Sequence, residues 1–169
     1  MKYKLPLILA LLIGLIVPVL TYAQNASLSL KSLDGNTVSV ENQRGKVVIF
    51  AIGATWLPLS IQQASVVNQL ADKYGKNNVS IYFVSTDTDN AKSKNYATDE
   101  KIRAFAKRTK MQSTILRDTT SESLKVFGVD QIPAFVILDK KGGVAGTIAG
   151  LDSEEDALSQ VSTAVDKVL

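Results

Sequence analysis

The sequence contains no cysteine and no histidine, and these two absences exclude most of the side-chain chemistry that enzymes use. Without a thiol the chain forms no disulfide, no thiolate nucleophile and no cysteine-bound metal site. Without an imidazole it has no serine–histidine–aspartate triad and no histidine-held zinc or copper. We therefore expect no metal, no cofactor and no catalytic residue of these kinds.

An excess of charge of one sign is also missing. The chain has 19 basic and 16 acidic side chains among 169 residues, a net charge of +3. Lys2 and Lys4 lie in a segment that we expect to be removed, and without them the net charge is +1. The signs are interspersed, so the composition argues against a nucleic-acid partner. Hydrophobic residues make up 46% of the chain, enough for the core of one ordinary domain.

The first 23 residues are typical of a secretory signal peptide. Lys2 and Lys4 precede an uncharged apolar run at 5–20, and small residues stand before the expected cut. The alternative is an uncleaved anchor, although the apolar run is shorter than the roughly 20 residues that span a bilayer comfortably. On either interpretation, we expect the domain at 24–169 to be exported to the periplasm or to the outer face of a bacterial membrane. Only an uncleaved segment would attach it to that membrane.

Hydrophobic periodicity and end signals predict an α/β chain. Alternating side chains around Asp34-Gly35-Asn36 predict an N-terminal β-hairpin over residues 28–40. The β-branched run at 46–52 predicts a strand buried on both faces. The same signals predict strands at 79–86, 134–139 and 144–149, and helices ending near Tyr74, over 99–110, over 121–127 and from Ser153 onwards. This order favours a central mixed sheet with helices on both faces.

Three local expectations concern side chains. The first long helix is expected to bury an apolar stripe that includes Ile61. Residues 87–98 are expected to form a solvated polar loop; the spacing of Asp87 and Asp89 also suits calcium, but the glycine and distal glutamate of an EF-hand are missing. Arg117-Asp118 is expected to be a turn in a connecting helical region.

Two motifs flank predicted strands, GATWLPLS at 53–60 and GVDQIPAF at 128–135. Together with LDGNTV at 33–38 and RGKVV at 44–48, they resemble thioredoxin-like proteins of the TlpA/ResA type, in the redoxin or AhpC/TSA (thiol-specific antioxidant) superfamily. The resemblance covers nearly the whole mature chain in the order of that family. It implies a thioredoxin-like fold and a thiol–disulfide oxidoreductase activity.

The residues contradict the implied activity. In the family the first motif reads A-T-W-C-x-x-C, and the two cysteine positions fall on Leu57 and Ser60. Leucine cannot ionise, and a serine hydroxyl without a general base forms no mixed disulfide. The peroxidase reaction of the antioxidant branch also begins with a thiolate. We therefore expect Ser60 to hydrogen-bond to the backbone near the start of its helix.

The resemblance also implies a cis peptide bond between Ile132 and Pro133, beside Leu57 and Ser60, with backbone groups open to an extended polypeptide. The alternative is an ordinary proline that opens a strand. The expected binding surface comprises Trp56, Leu57, Pro58, Leu59, Ser60, Ile132 and Pro133. Alternatively, Leu57 and Leu59 pack against Trp56 and seal a retired active site.

Three hypotheses of function remain. The first is a redox-inactive, exported protein that binds a polypeptide or envelope protein in this groove. The second is the oxidoreductase or antioxidant role of the family, which the missing cysteines disfavour. The third is a structural or assembly domain in which the groove is vestigial.

Overall fold

The computed structural model describes residues 27–169, so the leader prediction lies outside the described residues. Within this range the chain forms seven strands, four α-helices and one short 3-10 turn. None of the helices in residues 27–169 has both the length and the hydrophobicity of a transmembrane span. The strands are β1 (Ser29–Ser32), β2 (Thr37–Ser39), β3 (Val47–Gly53), β4 (Val79–Ser85), β5 (Thr114–Arg117), β6 (Ala134–Leu138) and β7 (Val144–Ala149). The helices are α1 (Leu59–Tyr74), α2 (Asp99–Arg108), α3 (Glu122–Phe127) and α4 (Glu154–Asp166).

All seven strands belong to one mixed sheet in the order β2-β1-β5-β4-β3-β6-β7. The central strand β3 runs parallel to β4 and antiparallel to β6. Every residue of β3 is buried, as a β-branched run covered on both faces requires. The register opposes Ile52 to Ala134, so β3 ends where β6 begins.

Two apolar clusters fill the space on either side of the sheet. One lies under α1, α2 and α4 and includes Leu70, Phe105 and Val161. The other lies under α3 and the N-terminal hairpin and includes Leu30 and Phe127. The predicted arrangement, a mixed sheet with helices on both faces and a hairpin at its start, is confirmed.

The helix ends follow the predicted signals. The Ser153 hydroxyl caps α4 by accepting a hydrogen bond from the Asp156 N–H at 3.1 Å. Thr98 caps α2 in the same way, and hydrogen bonds from its own backbone and from Thr98 lower the pKa of Glu100 in the first turn. Gly128 ends α3 with a positive φ of 64°.

The prediction of a turn at Arg117-Asp118 in a helical connection is wrong for Arg117, which is the last residue of strand β5. Asp118 follows the strand and begins a turn, since its carbonyl accepts the Ser121 N–H at 3.1 Å. Strand β5 is too short to show an alternating pattern in the sequence. It forms by pairing with β4 on one side and β1 on the other. Arg117 Nε lies 3.3 Å from the Asp99 carboxylate, while the buried Asp118 carboxylate accepts the N–H groups of Glu122 and Ser123, each at 2.8 Å.

The prediction that Ile61 is buried is also wrong, because half of its surface is exposed. The buried stripe of α1 instead contains Ser60, Gln63, Ala64, Val66, Val67, Leu70 and Tyr74. Two polar residues head this stripe because both find hydrogen-bond partners in the interior, and Ile61 is rotated away from them.

Candidate functional site

The residues of the first motif form a loop, Ala54–Pro58, that joins the end of β3 to the start of α1. We call it the 54–58 loop. Gln63 fixes its surroundings: the side-chain amide donates to the carbonyl of Ile52 at 3.2 Å and to that of Ala134 at 2.9 Å. This buried side chain therefore ties the first turns of α1 to the end of β3 and the start of β6.

Ser60 is fully buried, and its hydroxyl accepts a hydrogen bond from the Ala54 N–H at 3.2 Å. The prediction that Ser60 bonds to the backbone is confirmed, although the donor belongs to the loop and not to the helix. Leu57 is half-buried, and its N–H donates to the Ala54 carbonyl at 3.1 Å. Ser60 thus supports the loop from the interior, while Leu57 lies at the boundary with solvent.

Gly53 has no space for a side chain. A Cβ atom built there would lie 2.4 Å from Gln63 Oε1, 2.9 Å from Ser60 Oγ and 3.3 Å from the Phe83 ring. Since Gln63 is held by two carbonyls, it cannot retreat without losing those hydrogen bonds. The first helical turns approach β3 this closely only because residue 53 is glycine.

Asp87 lies beside the loop, although its side chain was expected in a solvated segment. It is only 1% exposed, so that expectation is wrong for Asp87, while Asp89 is exposed as expected. The Asp87 carboxylate accepts hydrogen bonds from the Thr55 N–H at 2.9 Å, the Thr55 hydroxyl at 2.8 Å and the Ser85 hydroxyl at 2.7 Å. These donors replace water around the buried carboxylate.

The outer side of the site is apolar. Trp56 is 50% exposed, Leu59 38% and Ile61 50%, and we call these three side chains the apolar patch. Only two other large apolar side chains in residues 27–169 are comparably exposed, Val144 and Leu169. Half of the Trp56 surface is thus accessible to solvent. No Asp, Glu, Lys or Arg occurs between residues 47 and 71, so the patch stands on an uncharged segment.

The Ile132–Pro133 peptide bond is cis. Pro133 is buried, and its carbonyl accepts from the Gly150 N–H at 2.9 Å. Ile132 is half-buried, and nothing in the described part of the chain hydrogen-bonds to its backbone N–H or C=O. Two residues further along the chain, the Ala134 carbonyl accepts from the Gln63 side chain and so connects this segment to α1.

The site lacks the side chains that thiol and acid–base chemistry need. The 54–58 loop contains no titratable side chain, and Leu57 and Ser60 supply neither thiolate nor general base. In residues 27–169, no group of three or more acidic side chains is placed to hold a metal ion. Sequence reasoning identified the exposed loop but missed Gln63, Asp87 and Ile61. Two signals could have identified Gln63 and Asp87. Gln63 is a glutamine in an otherwise apolar helical stripe, and Asp87 is an aspartate shortly after the end of β4.

A seven-stranded mixed sheet with helices on both faces is the architecture of the thioredoxin-like class. Among solved structures, MTB DsbF in its mixed oxidized and reduced forms is similar with a TM-score of 0.67 and 25% identity, over 83% of this chain and 96% of that one. A putative thiol:disulfide interchange protein DsbE from Chlorobium tepidum gives a TM-score of 0.69 at 20% identity, over 83% and 94% of the two chains. The thioredoxin-like fold is therefore confirmed.

The family follows from the sequence match. Residues 22–147 match the AhpC/TSA family, and the chain belongs to it. Its relatives include the thiol-disulfide oxidoreductase ResA of Bacillus thuringiensis subsp. konkukian, 26% identical over 123 residues, which are 73% of this chain and 66% of that protein. ResA of Geobacillus thermodenitrificans is 26% identical over 75% of this chain and 68% of its own length. The chain thus spans about two thirds of the length of these relatives.

Proposed function

We propose that this protein is a redox-inactive member of its family that binds an extended, apolar polypeptide segment of a cell-envelope protein. The observation that carries the proposal is the apolar patch, which spans the 54–58 loop and the first turn of α1, where the family pattern has its dithiol. Trp56, Leu59 and Ile61 would contact the side chains of the bound segment. The free N–H and C=O of Ile132 would pair with its backbone, as a sheet edge pairs with an added strand.

The free energies of burial and association favour a polypeptide over a small apolar molecule as the partner. Burying about 200–300 Å² of the patch yields roughly 5–7 kcal/mol at ~25 cal/mol/Å². Association alone costs about 4–15 kcal/mol, so the patch by itself supports weak binding. A partner that also uses the Ile132 backbone gains directional hydrogen bonds that a small apolar molecule lacks. An extended segment without charge fits both features and the uncharged stretch from residue 47 to 71.

The first experiment measures binding to a defined set of peptides. Purified protein of residues 24–169 is applied to an array of short peptides that vary in apolar content and charge. We expect preferential binding to uncharged peptides with several apolar residues. Trp56→Ala should weaken binding of the best peptide by about 30-fold or more, since a central tryptophan in an interface commonly contributes about 2 kcal/mol.

The matched control uses another exposed apolar residue. Val144 on β7 is 45% exposed and lies far from the 54–58 loop. Ile61→Asp should abolish peptide binding, whereas Val144→Asp should leave it within about twofold. The proposal is wrong if no peptide class is preferred, or if both aspartate variants bind alike. That result would favour a domain in which the groove is vestigial.

We also propose that the protein is exported and that residues 1–23 are removed. Support comes from the two lysines, the apolar run and the small residues before Gln24. Mass spectrometry of the protein recovered from its own cells should then find Gln24 as the first residue. A first residue at Met1 or Lys2 in the recovered protein would contradict cleavage.

A further inference from the structure

We propose that Asp87 is a positioning residue: its carboxylate holds Thr55 and thereby sets the place at which Trp56 is presented to a partner. The inference deepens the proposed function and rests on it for the meaning of the surface. The contact between Asp87 and Thr55 does not depend on any partner, because both residues belong to this chain.

The loop is anchored at two consecutive residues. Ser60 Oγ accepts the Ala54 N–H, and the Asp87 carboxylate accepts both the N–H and the hydroxyl of Thr55. Trp56 comes directly after the second anchor, and no hydrogen bond from the described residues holds Trp56 itself. The backbone that carries Trp56 is therefore held on one side by the Thr55–Asp87 hydrogen bonds and on the other by the Leu57 N–H, which donates to the Ala54 carbonyl at 3.1 Å.

A carboxylate suits this position better than an amide. Asp87 receives three donors and, in the described part of the chain, forms no ion pair. Asparagine offers one acceptor oxygen and turns its amide hydrogens toward at least one of the donors. Because a buried carboxylate without hydrogen bonds is very unfavourable, the carboxylate is stable at this place only while the loop supplies Thr55.

The chain offers a site-specific probe of this arrangement, since Trp56 is its only tryptophan. In Asp87→Asn we expect hydrogen exchange of the Thr55 amide to accelerate by about tenfold or more, and Trp56 fluorescence to become more accessible to acrylamide. Thr55→Val, which removes the hydroxyl at nearly constant volume, should shift Trp56 quenching in the same direction. Thr55→Ser keeps the hydroxyl and should restore the wild-type value.

Asp118→Asn is the matched control. Asp118 is also a buried carboxylate with three hydrogen bonds, but two of its donors are backbone N–H groups of α3 and the third is the Ser123 hydroxyl. This variant should lower the urea midpoint and leave Trp56 quenching unchanged. If Asp87→Asn behaves in that way too, Asp87 has a general structural role and the inference is overturned.

If Asp87→Asn fails to fold, the comparison of Thr55→Val with Thr55→Ser tests whether the hydrogen bonds to Asp87 position Trp56. Equal Trp56 quenching in Thr55→Val and Thr55→Ser would then overturn the inference. All of these measurements use the protein alone. A failure to bind peptides therefore contradicts the proposed function and leaves the role of Asp87 in positioning Trp56 unaffected. Unchanged Trp56 quenching in the variants, with peptide binding intact, contradicts only the role of Asp87.

Discussion

Gly53 shows at the scale of one residue how closely the site is packed. The atoms that would meet its missing Cβ belong to Gln63, Ser60 and Phe83, from α1 and β4. Ser60 Oγ accepts the Ala54 N–H of the loop, while Nε2 of the same Gln63 amide group donates to backbone carbonyls at the end of β3 and the start of β6. The absence of one methyl group therefore permits the hydrogen bonds that shape the 54–58 loop.

Gly53→Ala should destabilise the protein by about 1–3 kcal/mol, the usual effect of forcing extra volume into a filled interior. Urea unfolding measures the change. Gly143→Ala is the control, because a Cβ there would lie at an ordinary 3.5 Å from the Asp139 carboxylate. Equal unfolding midpoints for the two variants would show that the first turns of α1 can move away from β3.

Some site residues could be predicted from the sequence and others could not, for a physical reason. Trp56 and Leu59 stand in an unbroken apolar segment, and this local pattern predicted a candidate binding surface while leaving open whether the side chains pack on one another. Gln63 and Asp87 depend on partners distant in the sequence, Ala134 and Thr55 respectively. Helical periodicity placed Ile61 in the interior because it counts apolar residues and does not anticipate polar residues that find hydrogen-bond partners inside, as Ser60 and the Gln63 Nε2 atom do.

At the scale of the element, α1 begins without the usual devices. Pro58 occupies its N-cap position, no side chain caps it and no acidic residue lies in its first turn. Proline is tolerated there because its missing N–H would have no partner within the helix. Leu57 and Ser60 therefore flank a helix start, where the dipole of the helix would stabilise a thiolate.

The double variant Leu57→Cys, Ser60→Cys should form an intramolecular disulfide and acquire thiol–disulfide exchange, whereas the natural sequence should show none. Titration of free thiols and reduction of a disulfide substrate provide the measurements. Gln62→Cys with Ser65→Cys keeps the spacing inside α1, where Cβ atoms about 5–6 Å apart are too distant for a disulfide. If the two pairs oxidise equally, Leu57 and Ser60 do not occupy the special geometry of a helix start.

Strand β5 illustrates what an element needs beyond its own sequence. Its four residues contain one Ile-Leu pair and no alternation long enough to be diagnostic. The hydrogen bonds of β4 and β1 on either side determine it. Longer elements such as β3 and α4 carry their own signal, in a buried β-branched run and in a capped amphipathic repeat, and both were predicted within one or two residues.

For the whole molecule, the apolar clusters on the two faces of the sheet explain why the fold persists without a dithiol. Neither cluster includes Leu57 or Ser60. Burial of residues such as Leu70 and Phe135 supplies the main driving force for folding, and it is unaffected by the chemistry at the loop. Family membership and fold could therefore be predicted from the sequence, whereas the partner depends on a surface that the family pattern does not specify.

The path of β6 separates the 54–58 loop from Leu169. The strand starts at Ala134 beside the end of β3, finishes at Leu138 and leads to Lys140, whose ammonium donates to the Leu169 carbonyl. Five residues of strand correspond to about 17 Å at ~3.3 Å per residue. A biosensor chip joined through a linker after Leu169 would consequently display Trp56 toward the flowing sample, with the apolar patch unobstructed by the support.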